Sequence, residues 1–183
     1  NYNMTENYIE PMKLPQYYQA DDRWGAKRYG LSNMKLTGCV PTALAMAISG
    51  LKEDVNPVQV ADFLYNMTME LNTTFLGTSS LGVQEVVSQW GLNYKVIDSK
   101  EELEKTLKNG TLVYGAVGHG IFVNGYSTHA VLLTGYENGK TKAFDPDNMA
   151  KTNKWYNIDD IWKERSLAPE DNMTGGAFIA IYK

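Results

Sequence analysis

Thr37-Gly38-Cys39-Val40-Pro41-Thr42-Ala43-Leu44-Ala45-Met46-Ala47-Ile48-Ser49-Gly50 contains the only cysteine of the 183-residue chain. The run reads as a short glycine turn feeding a helix. Thr37 or Gly38 ends the preceding loop, and Pro41 falls in the first helical turn, where its missing N–H costs nothing. The Ala/Leu/Met stretch is strongly helix-forming, and Gly50 is expected as the C-terminal stop. Cys39 then lies at the helix N-terminus, against unpaired N–H groups and the positive end of the macrodipole. A thiolate is stabilised there, and the thiolate is the nucleophilic form. The competing reading is a buried, inert cysteine; placement at a glycine turn and helix start favours the reactive one.

A reactive cysteine needs a base, and the chain offers two histidines. His129 stands in Ser127-Thr128-His129-Ala130-Val131-Leu132-Leu133-Thr134-Gly135-Tyr136, a polar turn entering a β-strand. His119, in Gly118-His119-Gly120, is the alternative in a loop. After His129 the chain runs Glu137-Asn138-Gly139-Lys140, a hairpin signal, then Thr141-Lys142-Ala143-Phe144-Asp145-Pro146. With a two-residue Asn138-Gly139 loop, Asp145 faces Leu132 and points away from His129. A three-residue loop, Glu137 to Gly139 with Gly139 left-handed, shifts the register by one and makes His129 the same-face diagonal neighbour of Asp145, roughly 7–8 Å away. The carboxylate can then hold one ring N–H and leave the other nitrogen to the thiol. The bulged, three-residue hairpin is therefore expected.

Gln19-Ala20-Asp21-Asp22-Arg23-Trp24-Gly25, Gly38-Cys39-Val40-Pro41-Thr42-Ala43, His129 through Gly135-Tyr136, and Asp145-Pro146, taken in that order, resemble the C39-like peptidases of the papain-like cysteine protease superfamily. The resemblance runs from about Leu14 to Lys183. It implies a nucleophile at Cys39, a general base at His129, an orienting residue at Asp145 and an oxyanion-hole glutamine at Gln19. In C39 domains fused to bacteriocin exporters that glutamine stands only a few residues before the cysteine. Here Arg23-Trp24-Gly25 and Tyr29-Gly30 intervene, which resembles the free-standing, often exported bacterial type and leaves the double-glycine leader specificity untransferred. Gln16 is a second oxyanion candidate. The implied activity is cofactor-free hydrolysis of a peptide or peptide-like amide bond through a thioester. Acyl transfer to an amine, and a non-catalytic peptide or cell-wall binding module, are the alternatives.

Composition agrees with one domain over residues 1–183 and a sizeable core. A net charge of −4, with 17 scattered basic residues, gives no reason to expect nucleic acid. No apolar run approaches the roughly 20 residues that cross a membrane. The start at Asn1-Tyr2-Asn3, without Met, is expected of a trimmed or mature chain whose signal segment is absent, and an exported bacterial location follows from the resemblance. One cysteine excludes an internal disulfide, and without a His/Cys cluster no metal site is expected. The oligomeric state is open.

The remaining elements supply scaffold. Asn56-Pro57 caps a helix to about Tyr65. Ser80 caps a second helix, Leu81 to Trp90, closed by Gly91. Ser99-x-x-Glu102 is a capping box for a third, ending near Asn109-Gly110. Thr111 to Val117 reads as a buried strand, Asp159 to Lys163 as a helical turn, and Ala177 to Tyr182 as a final strand. Asn66 to Ser80 is expected as a rim loop, and Gly115 to Tyr126 as either a flap or a plain turn. Trp24 reads as core rather than cleft. The fold class is α+β and papain-like: an N-terminal helical part carrying the cysteine helix packs on a C-terminal antiparallel sheet carrying His129 and Asp145.

Overall fold

The structure, a computed structural model, describes residues 8–67 and 78–183. Most of the expected rim loop from Asn66 to Ser80 lies outside the described residues. Three short strands come first among the described residues, β1 (Tyr8–Ile9) and then the hairpin pair β2 (Arg28–Tyr29) and β3 (Ser32–Asn33). One helical turn, α1 (Met34–Thr37), leads through Gly38 into α2 (Cys39–Leu51). The helices α3 (Pro57–Met67) and α4 (Ser80–Gln89) follow. The second half alternates β4 (Asn93–Ile97), α5 (Lys100–Lys108), β5 (Leu112–Val117), β6 (His129–Glu137), β7 (Lys140–Phe144), β8 (Lys154–Asn157), α6 (Ile158–Lys163) and β9 (Phe178–Tyr182).

The large sheet is antiparallel, ordered β4-β9-β5-β6-β7-β8, with β1 alongside β6. Successive residues of β5, and of β6 from Ala130 to Tyr136, are buried. Alternate residues point to opposite faces, so both faces of the central strands are covered. α2 and α5 pack on these strands. In α2 every residue from Val40 to Ile48 is buried. That is why the cysteine helix lacks the polar stripe of a surface helix.

Local chemistry explains most boundaries. Asn56 accepts the Gln59 N–H at 3.0 Å, and Gln59 returns the bond to Asn56 N–H at 2.9 Å. Ser99 Oγ accepts the Glu102 N–H at 3.1 Å, as the capping box requires; the Glu102 carboxylate reaches back one residue further, to the Asp98 N–H at 3.1 Å. Two expectations need correction. The cap of α4 is Ser79, whose Oγ faces the Gly82 N–H, rather than Ser80. Gly50 does not stop α2; the helix runs on to Leu51, and Gly50 is bare because Leu14 packs where a Cβ would stand, 2.3 Å from its Cδ2.

The hairpin also departs from expectation. Its tip is the two-residue turn rejected above: Glu137 pairs with Lys140, and Asn138 and Gly139 both have positive φ, 48° and 83°. The one-residue shift occurs instead on β6, where Gly135 (φ 83°) and Tyr136 together oppose Thr141. The Thr141 hydroxyl donates to the Gly135 carbonyl at 2.7 Å and fixes the bulge. Beyond it Leu132 pairs with Phe144, so Asp145 falls opposite Val131, in the expected register but by a different device.

Candidate active site

Gly38 joins α1 to α2 so closely that a Cβ there would sit 2.5 Å from the Met34 carbonyl oxygen. This tight joint sets Cys39 as the first residue of α2, half-buried, where the first N–H groups of a helix lack intrahelical partners. His129 opens β6, and Asp145 directly follows β7. The bulge brings them together: His129 Nε2 lies 2.6 Å from Asp145 Oδ1, with His129 10% and Asp145 0% exposed. Oδ1 also accepts the backbone N–H of Asp147 at 2.8 Å and of Asn148 at 3.3 Å. An oxygen already accepting two N–H bonds is an acceptor, so Nε2 carries the proton and donates. Cys39 is the second side-chain partner of His129, and Nδ1 is the ring nitrogen left to meet it. Burial opposes charge on the imidazole, but Asp145 and Cys39 together outweigh it and raise His129 from 6.5 to about 10.

Around Asp145 the N-terminal segment forms a brace. Gln16 donates through Nε2 to the carbonyls of Tyr17 and Asp145, and its Oε1 accepts the Thr152 hydroxyl at 2.7 Å. Thr152 Oγ1 in turn accepts the Asp145 N–H at 2.8 Å. Both amide hydrogens of Gln16 are thus spent on backbone, which removes it from the oxyanion role. Gln19 is tied to the same turn, its N–H donating to the Pro146 carbonyl at 2.8 Å. Its buried Nε2 donates to the Lys35 carbonyl at 2.9 Å, on the turn that precedes Cys39. Trp24 is buried, donates to the Tyr18 carbonyl at 2.7 Å, and belongs to the core.

Cys39 and His129 line a cleft of about 320 Å³, walled by Leu36, Thr37, Thr78, Tyr114, Ser127 and Thr128 among others. Tyr114 and Tyr29 lie fully buried nearby; burial pushes both phenols up, with the Cys39 charge adding to it. Tyr29 shares a hydrogen bond with Thr78. The segment after β5 is a tied turn rather than a flap. The Glu164 carboxylate takes the Ile121 N–H at 2.7 Å, and Gly120 (φ 151°) leaves no room for a Cβ, which would stand 2.2 Å from Glu164 Cδ. His119 is bound through Nδ1 to the Gly125 carbonyl at 3.1 Å and stacks on Tyr126. Ala168, Glu170 and Asp171, which also line the cleft, carried no motif from which sequence could have found them.

A model of the Peptidase C39 like family matches residues 12–174. The chain belongs to this family. The structure is similar to that of a candidate C39-like peptidase from Bacillus anthracis, at 16% identity and a TM-score of 0.62, over 96% of this chain and 98% of that one. The peptidase domain of Streptococcus ComA, a bifunctional ABC transporter of a quorum-sensing pathway, matches at 19% identity and a TM-score of 0.56, over 79% and 89%. A double-glycine-motif protease from an AMS/PCAT transporter, in complex with its leader peptide, matches at 17% and 0.50, over 94% and 91%. No curated protein matches by sequence. C39-like membership and the α+β, papain-like fold agree with the expectations drawn from the sequence. Among the described residues no helix is long and apolar enough to cross a membrane.

Proposed function

We propose that the chain is a cysteine peptidase, hydrolysing a peptide or peptide-like amide bond through Cys39, His129 and Asp145, with Gln19 in the oxyanion hole. The observation that carries this reading is the 2.6 Å bond from His129 Nε2 to a fully buried Asp145, on a ring whose other side-chain partner is Cys39. His129 Nδ1 holds the thiol proton, and the Cys39 sulfur attacks the substrate carbonyl carbon. The carbonyl π pair moves to oxygen, which meets a backbone N–H at the start of α2 and the second amide hydrogen of Gln19. His129 passes its proton to the amine nitrogen as the C–N bond breaks, leaving a thioester. Water, deprotonated by His129, then attacks the thioester and releases the acid and the thiolate. A peptide substrate is also in keeping with the leader peptide bound by one structural neighbour. An exported bacterial location belongs to the same proposal.

Acid-quenching the enzyme during turnover of a peptide pool tests this. An acyl adduct on Cys39, with hydrolysed products that disappear in Cys39→Ala, is the expected result. Products joined to an added amine in place of acid would assign acyl transfer instead, and binding without any adduct would leave a binding module.

A further inference from the structure

The cleft that holds the thiol is also lined by the 3-10 turn Pro169–Asp171, through Glu170 and Asp171. Among the described residues the lining includes no lysine or arginine. Among the described residues neither carboxylate joins an ion pair. Asp171 is only 7% exposed. Its Oδ2 accepts the Ser166 hydroxyl at 2.6 Å, and Thr128, beside His129, supplies a further hydrogen bond. The carboxylate is therefore held in one orientation, in the wall of the cavity that holds the nucleophile. The Tyr114 phenol, also on the lining, lies within the electrostatic reach of both Asp171 and Cys39.

A carboxylate held there with no ion-pair partner among the described residues is costly. Burial raises the pKa of Asp171, and the Glu170 charge raises it further. Accepting two hydroxyls needs only a neutral amide oxygen, so the hydrogen bonds alone do not call for an acid. A cation entering the cavity removes the penalty and gains a charge-assisted bond. The exposed Tyr126 and Leu36, also on the lining, offer apolar surface for an alkyl stem.

We infer that Asp171, with Glu170, forms a subsite that selects a cationic group of the substrate, a lysine ammonium or an arginine guanidinium, beside the scissile bond. This rests on the peptidase reading and adds to it the class of peptide cleaved.

The test uses internally quenched octapeptide pools in which one position at a time is fixed as Lys, Arg, norleucine or Glu. At one position the Lys or Arg pools are cleaved about tenfold faster than norleucine, and Glu is slowest. In Asp171→Asn that ratio drops below about threefold, and in the more exposed Glu170→Gln it drops partway. Because the Glu170 side chain joins no ion pair among the described residues, the second variant reads the subsite even where the first fails to fold. Each pool is made N-acetylated and with a free amino terminus; a rate advantage of the free form shared by all pools, norleucine included, overturns the lysine and arginine assignment. Equal cleavage of the Lys, Arg and norleucine pools, acetylated and free, overturns the subsite and leaves the peptidase standing. Cleavage of no pool overturns the peptidase reading and the subsite with it.

Discussion

Asp145→Ala lowers peptide turnover by about 10³-fold and costs about 3–5 kcal/mol of stability, whereas Asp145→Asn costs far less on both counts. Alanine removes the acceptor of three N–H groups at once: His129 Nε2, Asp147 and Asn148. Asparagine can place its carbonyl oxygen where Oδ1 stands and keep all three. Its amide nitrogen then takes the place of Oδ2, which is buried with no partner among the described residues, and an unmet donor there costs about 1–3 kcal/mol. A neutral acceptor also supports the imidazolium less well, so turnover falls by about 10–100-fold. The pH dependence follows from His129, raised from 6.5 to about 10. The stability brought by its extra proton is complete below pH 6.5 and is lost as pH rises through 10. Melting curves of the parent and Asp145→Asn should therefore converge between those limits. Equal turnover of Asp145→Ala and parent would remove Asp145 from the site.

Gly135→Val unfolds the protein about 6–12 °C below the parent and takes activity with it. Gly135 has φ 83°, which a β-branched residue scarcely adopts, and a Cβ would meet Pro11 Cγ at 2.7 Å and Cα at 3.0 Å. Strain and overpacking together cost about 3 kcal/mol. The sheet can relieve both by losing the bulge, but the register then slips by one and Asp145 turns to the opposite face from His129. Gly139→Ala is the control. It has the same φ, but nothing among the described residues lies within 4 Å of where its Cβ would stand. It pays only the local strain, about 1 kcal/mol, and keeps its activity. Thermal melts and turnover of the two variants separate these outcomes. Loss of activity in Gly139→Ala with retention in Gly135→Val would place the register control at the hairpin tip.

This hairpin marks where sequence reasoning runs out. Asn138-Gly139 was visible as a turn, and the need for a one-residue shift followed from wanting His129 and Asp145 on one face. The source of that shift was not readable, because Gly135 earns its left-handed conformation by the approach of Pro11, more than a hundred residues away in sequence. Gly50 misled for the same reason: its bareness serves Leu14, not the helix end. The cysteine helix, the capping box at Ser99 and the buried strand at β5 were legible, since each rests on local propensity or on a short polar pattern. β4 and β8 were not, because their exposed, mixed residues become strands only by pairing with β9 and β7. Gln16 and Gln19 stood three residues apart as rivals, and only the hydrogen bonds of the folded chain separate a brace from an oxyanion candidate.

The central claim is that Cys39 and His129 act as one proton-sharing pair, and the pH dependence of Cys39 alkylation by iodoacetamide tests it most directly. In the parent, alkylation at pH 6 keeps a large share of its rate at pH 9, because His129 holds the proton across that range. In His129→Ala the rate falls by about tenfold for each pH unit below about 8.5, as for an ordinary thiol. Parallel profiles in the two proteins, both falling away below about pH 8.5, would contradict the pairing and the cysteine-peptidase account built on it.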